Sequence, residues 1–140
     1  MSKVFFDTNL FLYLLEDYGA LSRRVTEVWD HMTTRKDELY TSTFTLAEIL
    51  VKPRSIEDDE GMDRFEKLLG SAAKLISFDT KVARMYATVR QDRSIKAPDA
   101  IQLACAASVG MDLFITNDQR LNRKVVPGIQ FITSLEGAYL

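Results

Sequence analysis

The chain has 140 residues, is 46% hydrophobic and 27% charged, and can bury roughly 70% of the surface its unfolded form exposes, so it needs no covalent staple. Its single Cys and single His exclude an internal disulfide framework, a Cys-rich zinc site, a His-rich metal site and a pair of histidines sharing acid and base roles. Eighteen Lys+Arg against 20 Asp+Glu leave a net charge of −2, so the chain is no general polycation, and any polyanion must be met by local basic patches.

The first apolar run, Val4-Phe5-Phe6, stops at Asp7-Thr8-Asn9 and predicts a buried strand entering a turn. The carboxylate at Asp7 interrupts the run before a signal-peptide core can form, and no run approaches the ~20 residues of a membrane span. The expectation is a soluble, cytoplasmic protein of one domain, residues 1–140. Leu10 to Leu15 predicts a short apolar helix. Val25, Val28, Trp29 and Met32 recur at helical spacing, with Ser22 as the expected cap. Glu38 to Ser42 predicts a second strand, and Leu46 to Val51 a helix ending near Pro53.

Ile56 to Gly61 is the one concentrated charge run and predicts a solvated link into a helix carrying Phe65, Leu68 and Leu69. Leu75 to Phe78 predicts a third strand, with Asp79 capping the helix of Val82, Tyr86 and Val89. Ala97-Pro98-Asp99 opens a helix with proline at the first-turn position it favours, and Ala100 to Ala107 is apolar nearly all round, as a central buried helix should be. Leu113 to Thr116 and Ile129 to Ile132 predict two more strands, and a short helix is expected to close the chain. Strands alternating with helices predict an α/β fold: a three-layer sandwich around a mainly parallel sheet of about five strands.

In such sheets the site lies beyond the carboxyl ends of the strands. Asp7, Asp99 and Asp118 fall at strand ends or at a helix start, and Glu48 is expected to begin the helix after the second strand. Each has a plainer reading. A carboxylate in a first turn caps free N–H groups and complements the helix dipole, and Thr45-Leu46-Ala47-Glu48 fits a capping box. Asp7 resists that reading best, since it ends a strongly apolar strand where an unpaired charge is costly. Crowded carboxylates repel unless cations or protons neutralise them. Oxygen donors with neither Cys nor His favour Mg²⁺ or Mn²⁺ over zinc, and carboxylate-held Mg²⁺ suits phosphoryl transfer to water.

Taken in order, Asp7-Thr8-Asn9, Ala47-Glu48, Pro98-Asp99-Ala100 before an Ala-rich helix, and Thr116-Asn117-Asp118 closely resemble a PIN domain. In size the chain is similar to toxin nucleases of the VapC kind. The resemblance implies a Mg²⁺- or Mn²⁺-dependent endoribonuclease that hydrolyses RNA with metal-activated water. It implies Asp7, Glu48, Asp99 and Asp118 as the acidic quartet holding the metal, Thr116 as a polar helper, and Asn9 and Asn117 as lesser orienting residues. It further implies a homodimer and a small antitoxin protein that places a basic side chain in the acidic site.

Two other readings stand beside it. One is a PIN-like fold that only binds RNA or protein. The other is an acidic-pocket phosphate enzyme or receiver domain, against which a single Asp ends the first strand and Asn9 occupies the second position of Asp-x-Asp. The basic clusters are Arg23-Arg24, Lys52 with Arg54, Arg90 with Arg93 and Lys96, and Arg120 with Arg123 and Lys124. Of these, Lys52/Arg54 and Arg120/Arg123 follow elements carrying site carboxylates and would flank an RNA groove, if they are more than a solvated face. Trp29, the phenylalanines and Cys105 read as core, and His31 as surface.

Overall fold

The computed structural model describes residues 1–138. Its strands are β1 (Lys3–Phe6), β2 (Glu38–Ser42), β3 (Lys74–Ile76), β4 (Met111–Thr116) and β5 (Ile129–Ser134). Its helices are α1 (Thr8–Leu15), α2 (Ala20–Arg35), α3 (Thr43–Ser55), α4 (Asp59–Ala72), α5 (Thr80–Val89) and α6 (Ala97–Val109), with a 3-10 turn at Gln119–Leu121. All strand pairings are parallel, in the order β3-β2-β1-β4-β5.

The pleat of β1 divides the core in two, because successive side chains point to opposite faces. Phe5 packs with Tyr40, Ile76 and Phe114 beneath α5 and α6, its ring stacked on Phe114 at 5.0 Å. Val4 and Phe6 join Leu39 and Ile115 beneath α1, α2 and α4, where Leu10, Val25, Val28 and Leu69 are buried. Full burial of each such side chain contributes roughly 1.5–3 kcal/mol, which fixes the strand register, since a one-residue slip would swap the faces. The three-layer α/β sandwich expected from the sequence is the observed architecture.

The strand order decides where a ligand can enter. From β1 the chain adds β2 and β3 on one side, then crosses to add β4 and β5 on the other. The connections leaving β1 and β4 therefore part in opposite directions and open a crevice beyond their carboxyl ends. Asp7 directly follows β1, and Asp118 lies two residues after β4.

Several local expectations are corrected. Helix α2 starts at Ala20 with Gly19 as its cap, while Ser22 lies inside and ties the preceding loop, its hydroxyl donating to Glu16 O and accepting from Tyr18 N. Helix α3 does end near Pro53, at Ser55; the proline has no N–H to give the Ile49 carbonyl, and the helix stops two residues later. Strand β2 runs into α3 with no loop, so Ser42 is the cap and its Oγ accepts from Thr45 N. The Thr45–Glu48 capping box therefore does not form, and Glu48 sits in the second turn.

The charge run is not a link throughout, because Asp58 caps α4 and Asp59 to Gly61 form its first turn. Strand β3 stops at Ile76, leaving Phe78 half-exposed. After β5 the chain turns, Gly137 N donating to Ser134 O, rather than forming a helix as far as Ala138; Tyr139 and Leu140 lie outside the described residues. Among the described residues no helix is long and apolar enough to cross a membrane.

Candidate active site

A cleft of about 450 Å³ opens at the carboxyl edge of the sheet, and all four acidic residues singled out in the sequence line it. Asp7 comes from the end of β1, Glu48 from α3, Asp99 from the first turn of α6 and Asp118 from the loop after β4. Lys96 and Arg120 line the same space, as do Thr8, Asn9 and Gln102.

Asp7 is the best-anchored of the four. Its backbone N–H extends the sheet by donating to Ile115 O at 3.2 Å. Its Oδ1 accepts from Asn9 N at 3.1 Å, capping α1, and its Oδ2 accepts from the Thr116 hydroxyl at 2.6 Å. Only 9% of the residue is exposed. Burial holds its carboxyl above the usual carboxylate range even though both hydrogen bonds favour the charged form, and the charges of Glu48 and Asp118 push it further up.

Thr116 is fully buried and ties two of the acidic residues together, donating to the Asp7 carboxylate and accepting the backbone N–H of Asp118 at 3.0 Å. Asp99, half-buried, is held above the usual range by burial and then by the charges of Asp118 and Asp7. Asp118 goes the opposite way, held down first by its hydrogen bonds from the Arg120 side chain.

Glu48 is exposed but aimed. The Thr8 hydroxyl donates to its Oε1 at 2.6 Å. Thr8 in turn belongs to a buried network: Gln102 Nε2 donates to Thr8 Oγ1 at 3.0 Å and to Thr45 Oγ1 at 2.7 Å, while Ser42 Oγ donates to Gln102 Oε1. Thr41 Oγ1 lies 2.8 Å from both Thr45 Oγ1 and Phe6 O and closes the network. The sequence reading missed Thr8 and Gln102. The signal for Gln102 was present: it is the one polar side chain within the otherwise apolar run Ala100 to Ala107.

The remaining candidates divide. Asn9 lines the cleft, whereas Asn117 is outside it and donates its amide to Tyr13 Oη at 2.8 Å. Of the basic clusters expected to flank a groove, Lys52 is drawn to Glu16 at 3.1 Å. Arg120 is the cation of those two clusters that reaches the cleft.

The donor set is oxygen alone, which suits a hard divalent cation. Among the described residues no three carboxylates close around a single point.

The fold has relatives among solved structures. A chain of VapBC2 from Rickettsia felis, bound to a DNA fragment from its promoter, aligns with a TM-score of 0.73 at 15% identity, covering 94% of this chain and 98% of that one. DNA-bound VapBC from Salmonella typhimurium gives 0.70 at 22% identity, covering 96% and 99%. A toxin-antitoxin complex from Klebsiella pneumoniae gives 0.66 at 23% identity, covering 90% and 94%. These likenesses establish a shared fold. No curated protein sequence matches. The family model for the PIN domain matches residues 4–126, and the chain belongs to that family.

Proposed function

We propose that the chain is a divalent-metal-dependent endoribonuclease, with Asp7, Glu48, Asp99 and Asp118 as the acidic residues that hold the metal. The observation that carries the reading is Asp7. A carboxylate 9% exposed, with no cation bonded to it among the described residues and two more carboxylates raising its proton affinity, is a poor structural device and a good cation ligand. Bound there, Mg²⁺ or Mn²⁺ would lower the pKa of a coordinated water and neutralise charge developing on the phosphate.

The chain's own groups do the positioning. Thr116 and the Asn9 N–H hold Asp7 in one rotamer, and Thr116 also sets the Asp118 backbone. Thr8, backed by Gln102, aims Glu48. Lys96 on the cleft wall supplies attraction for a polyanion that the net charge of −2 does not. Hydrolysis with water in line leaves a 5′-phosphate and a 3′-hydroxyl.

The biological setting follows as part of the same proposal. The related solved structures are toxin-antitoxin complexes, which supports reading this chain as the toxin of such a pair, acting on cytoplasmic RNA. Its partner would be a small antitoxin that offers a basic side chain to the acidic cleft, and the toxin itself would be a homodimer.

The test is cleavage of total cellular RNA by purified protein in Mg²⁺, Mn²⁺ or EDTA, beside Asp7→Asn, with the new ends mapped. Metal-dependent cuts bearing 5′-phosphates, lost in the variant, are expected. Equal cutting by both proteins would refute the assignment. No cutting together with no Mn²⁺ binding would replace it with the binding-only reading.

A further inference from the structure

Arg120 closes one of the four carboxylates from within the chain. Its Nε donates to Asp118 Oδ1 at 3.0 Å and its Nη2 to Oδ2 at 2.8 Å, while its backbone N–H also reaches Oδ1 at 2.9 Å. Both oxygens of Asp118 therefore carry a positive partner before any ligand arrives. The side-chain hold is weak: the guanidinium is 68% exposed, against 21% for the carboxylate, and an exposed pair of this kind shifts an equilibrium by about fivefold or less.

Asp118 does not need the pair to keep its place. The Thr116 hydroxyl fixes its backbone, and the Arg120 N–H caps its side chain whichever way the guanidinium points. The guanidinium is thus the one part of this arrangement free to exchange. Its planar fork matches a phosphate as well as a carboxylate. It lines the same cleft as Lys96, which forms no ion pair among the described residues, so two cations face the acidic space.

We infer that Arg120 is a positioning residue with two alternative partners, the Asp118 carboxylate in the free protein and an RNA phosphate once the cleft is loaded. The inference rests on the nuclease reading above. A divalent cation approaching Asp118 repels the guanidinium, and an incoming phosphate offers it an anion within the same cleft. Arg120 thus lowers metal affinity when RNA is absent and adds RNA affinity when it is present. A side chain that merely stabilised the loop would do neither.

Two variants test this. Arg120→Ala frees Asp118, so Mn²⁺ titrated calorimetrically into RNA-free protein should bind about two- to fivefold tighter than to wild type. For RNA, the probe is a fluorescent mixed-sequence single strand of about 20 nucleotides, in Ca²⁺ with strand integrity checked on gels. Losing one phosphate contact should weaken its binding and reduce the slope of log affinity against log salt by about 0.7.

Arg120→Lys keeps the charge and gives up the fork. It should tighten Mn²⁺ binding while leaving the salt slope near wild type, and it serves as the test if the alanine variant does not fold. Mn²⁺ affinity equal to or below wild type in the folded variants overturns the inference, and so does an unchanged salt slope in the alanine variant. If wild type binds Mn²⁺ and cuts RNA while Arg120→Ala matches it in both titrations, this inference alone fails. If wild type neither binds Mn²⁺ nor cuts RNA, the nuclease reading fails and takes the inference with it.

Discussion

Replacing Asp7 by asparagine should make the fold more stable at neutral pH while destroying the site. The wild-type carboxyl is held above its ordinary value of 3.8 because burial outweighs its bonds from Thr116 and Asn9, with Glu48 and Asp118 adding repulsion. A raised folded pKa means that the folded state binds the proton more tightly than the unfolded chain does. The stability tied to that proton is fully present below about 3.8 and is lost as pH rises through the raised value. Asp99 has the same sign. Asp118 has the opposite one, its contribution being present above 3.8 and lost as pH falls through its lowered value.

Asp7→Asn replaces an acid whose charged form burial disfavours with an amide that is neutral at every pH. The amide oxygen would still accept from Asn9 N. The amide nitrogen would face Thr116 Oγ1, an oxygen that already accepts from Asp118 N and has a second lone pair, although the hydroxyl proton loses its present acceptor. Both charge-assisted bonds become neutral ones, and a desolvated carboxyl disappears. The net gain should be about 0.5–2 kcal/mol, roughly 3–4 °C in Tm per kcal/mol for a chain of this size. Urea denaturation in EDTA at pH 7.5 and at pH 4.5 measures it, and the gain should shrink at the lower pH. A gain that grows on acidification, or a variant less stable than wild type at pH 7.5, would refute the reasoning.

Gln102→Leu keeps the shape of the side chain but removes two donated bonds, to Thr8 and Thr45, and the acceptor for Ser42. At about 1 kcal/mol net per bond the loss should be roughly 2–3 kcal/mol by urea denaturation. RNA cleavage should fall as well, because Thr8 no longer holds Glu48; wild-type stability would sink the network argument. Gly128→Ala tests scaffold alone. Its backbone stands at φ +98, and a Cβ there would lie 2.6 Å from the Ala107 carbonyl oxygen at the end of α6. A loss of roughly 2–4 kcal/mol should appear in a circular-dichroism melt, with Mn²⁺ affinity of the folded protein unchanged.

What was legible in the sequence is what depends on local pattern. Val4-Phe5-Phe6 ending at Asp7, the proline-led Ala-rich helix and the cap at Asp79 form as read, because hydrophobic periodicity and capping act within a few residues. The failures sit where a neighbour in space decides. Thr45 could not act as a cap once β2 ran straight into α3 and Ser42 took that place. Gln102 lies on a helix whose neighbours all pack as core, and its partners Ser42 and Thr8 are 60 and 94 residues distant in the chain. Arg120 and Lys52 looked equivalent as members of basic clusters. Only the fold turns one into the cleft and the other toward Glu16.

Capping and ligand binding were weighed in the sequence as rival readings of the same carboxylates, and for Asp7 and Asp118 the rivalry is false. Asp7 caps through Asn9 N and Asp118 through Arg120 N, yet both line the cleft. A capping bond occupies one lone pair of a carboxylate that has about four, and it fixes the rotamer in which the others are presented. Asp79 caps just as well, through Val82 N, but it follows the edge strand β3 and lines no part of the cleft. Capping strength therefore cannot separate a structural carboxylate from one available to a ligand. Position relative to the switch between β1 and β4 can, because there the chain leaves two adjacent strands in opposite directions and the caps at their ends line the crevice that opens between them.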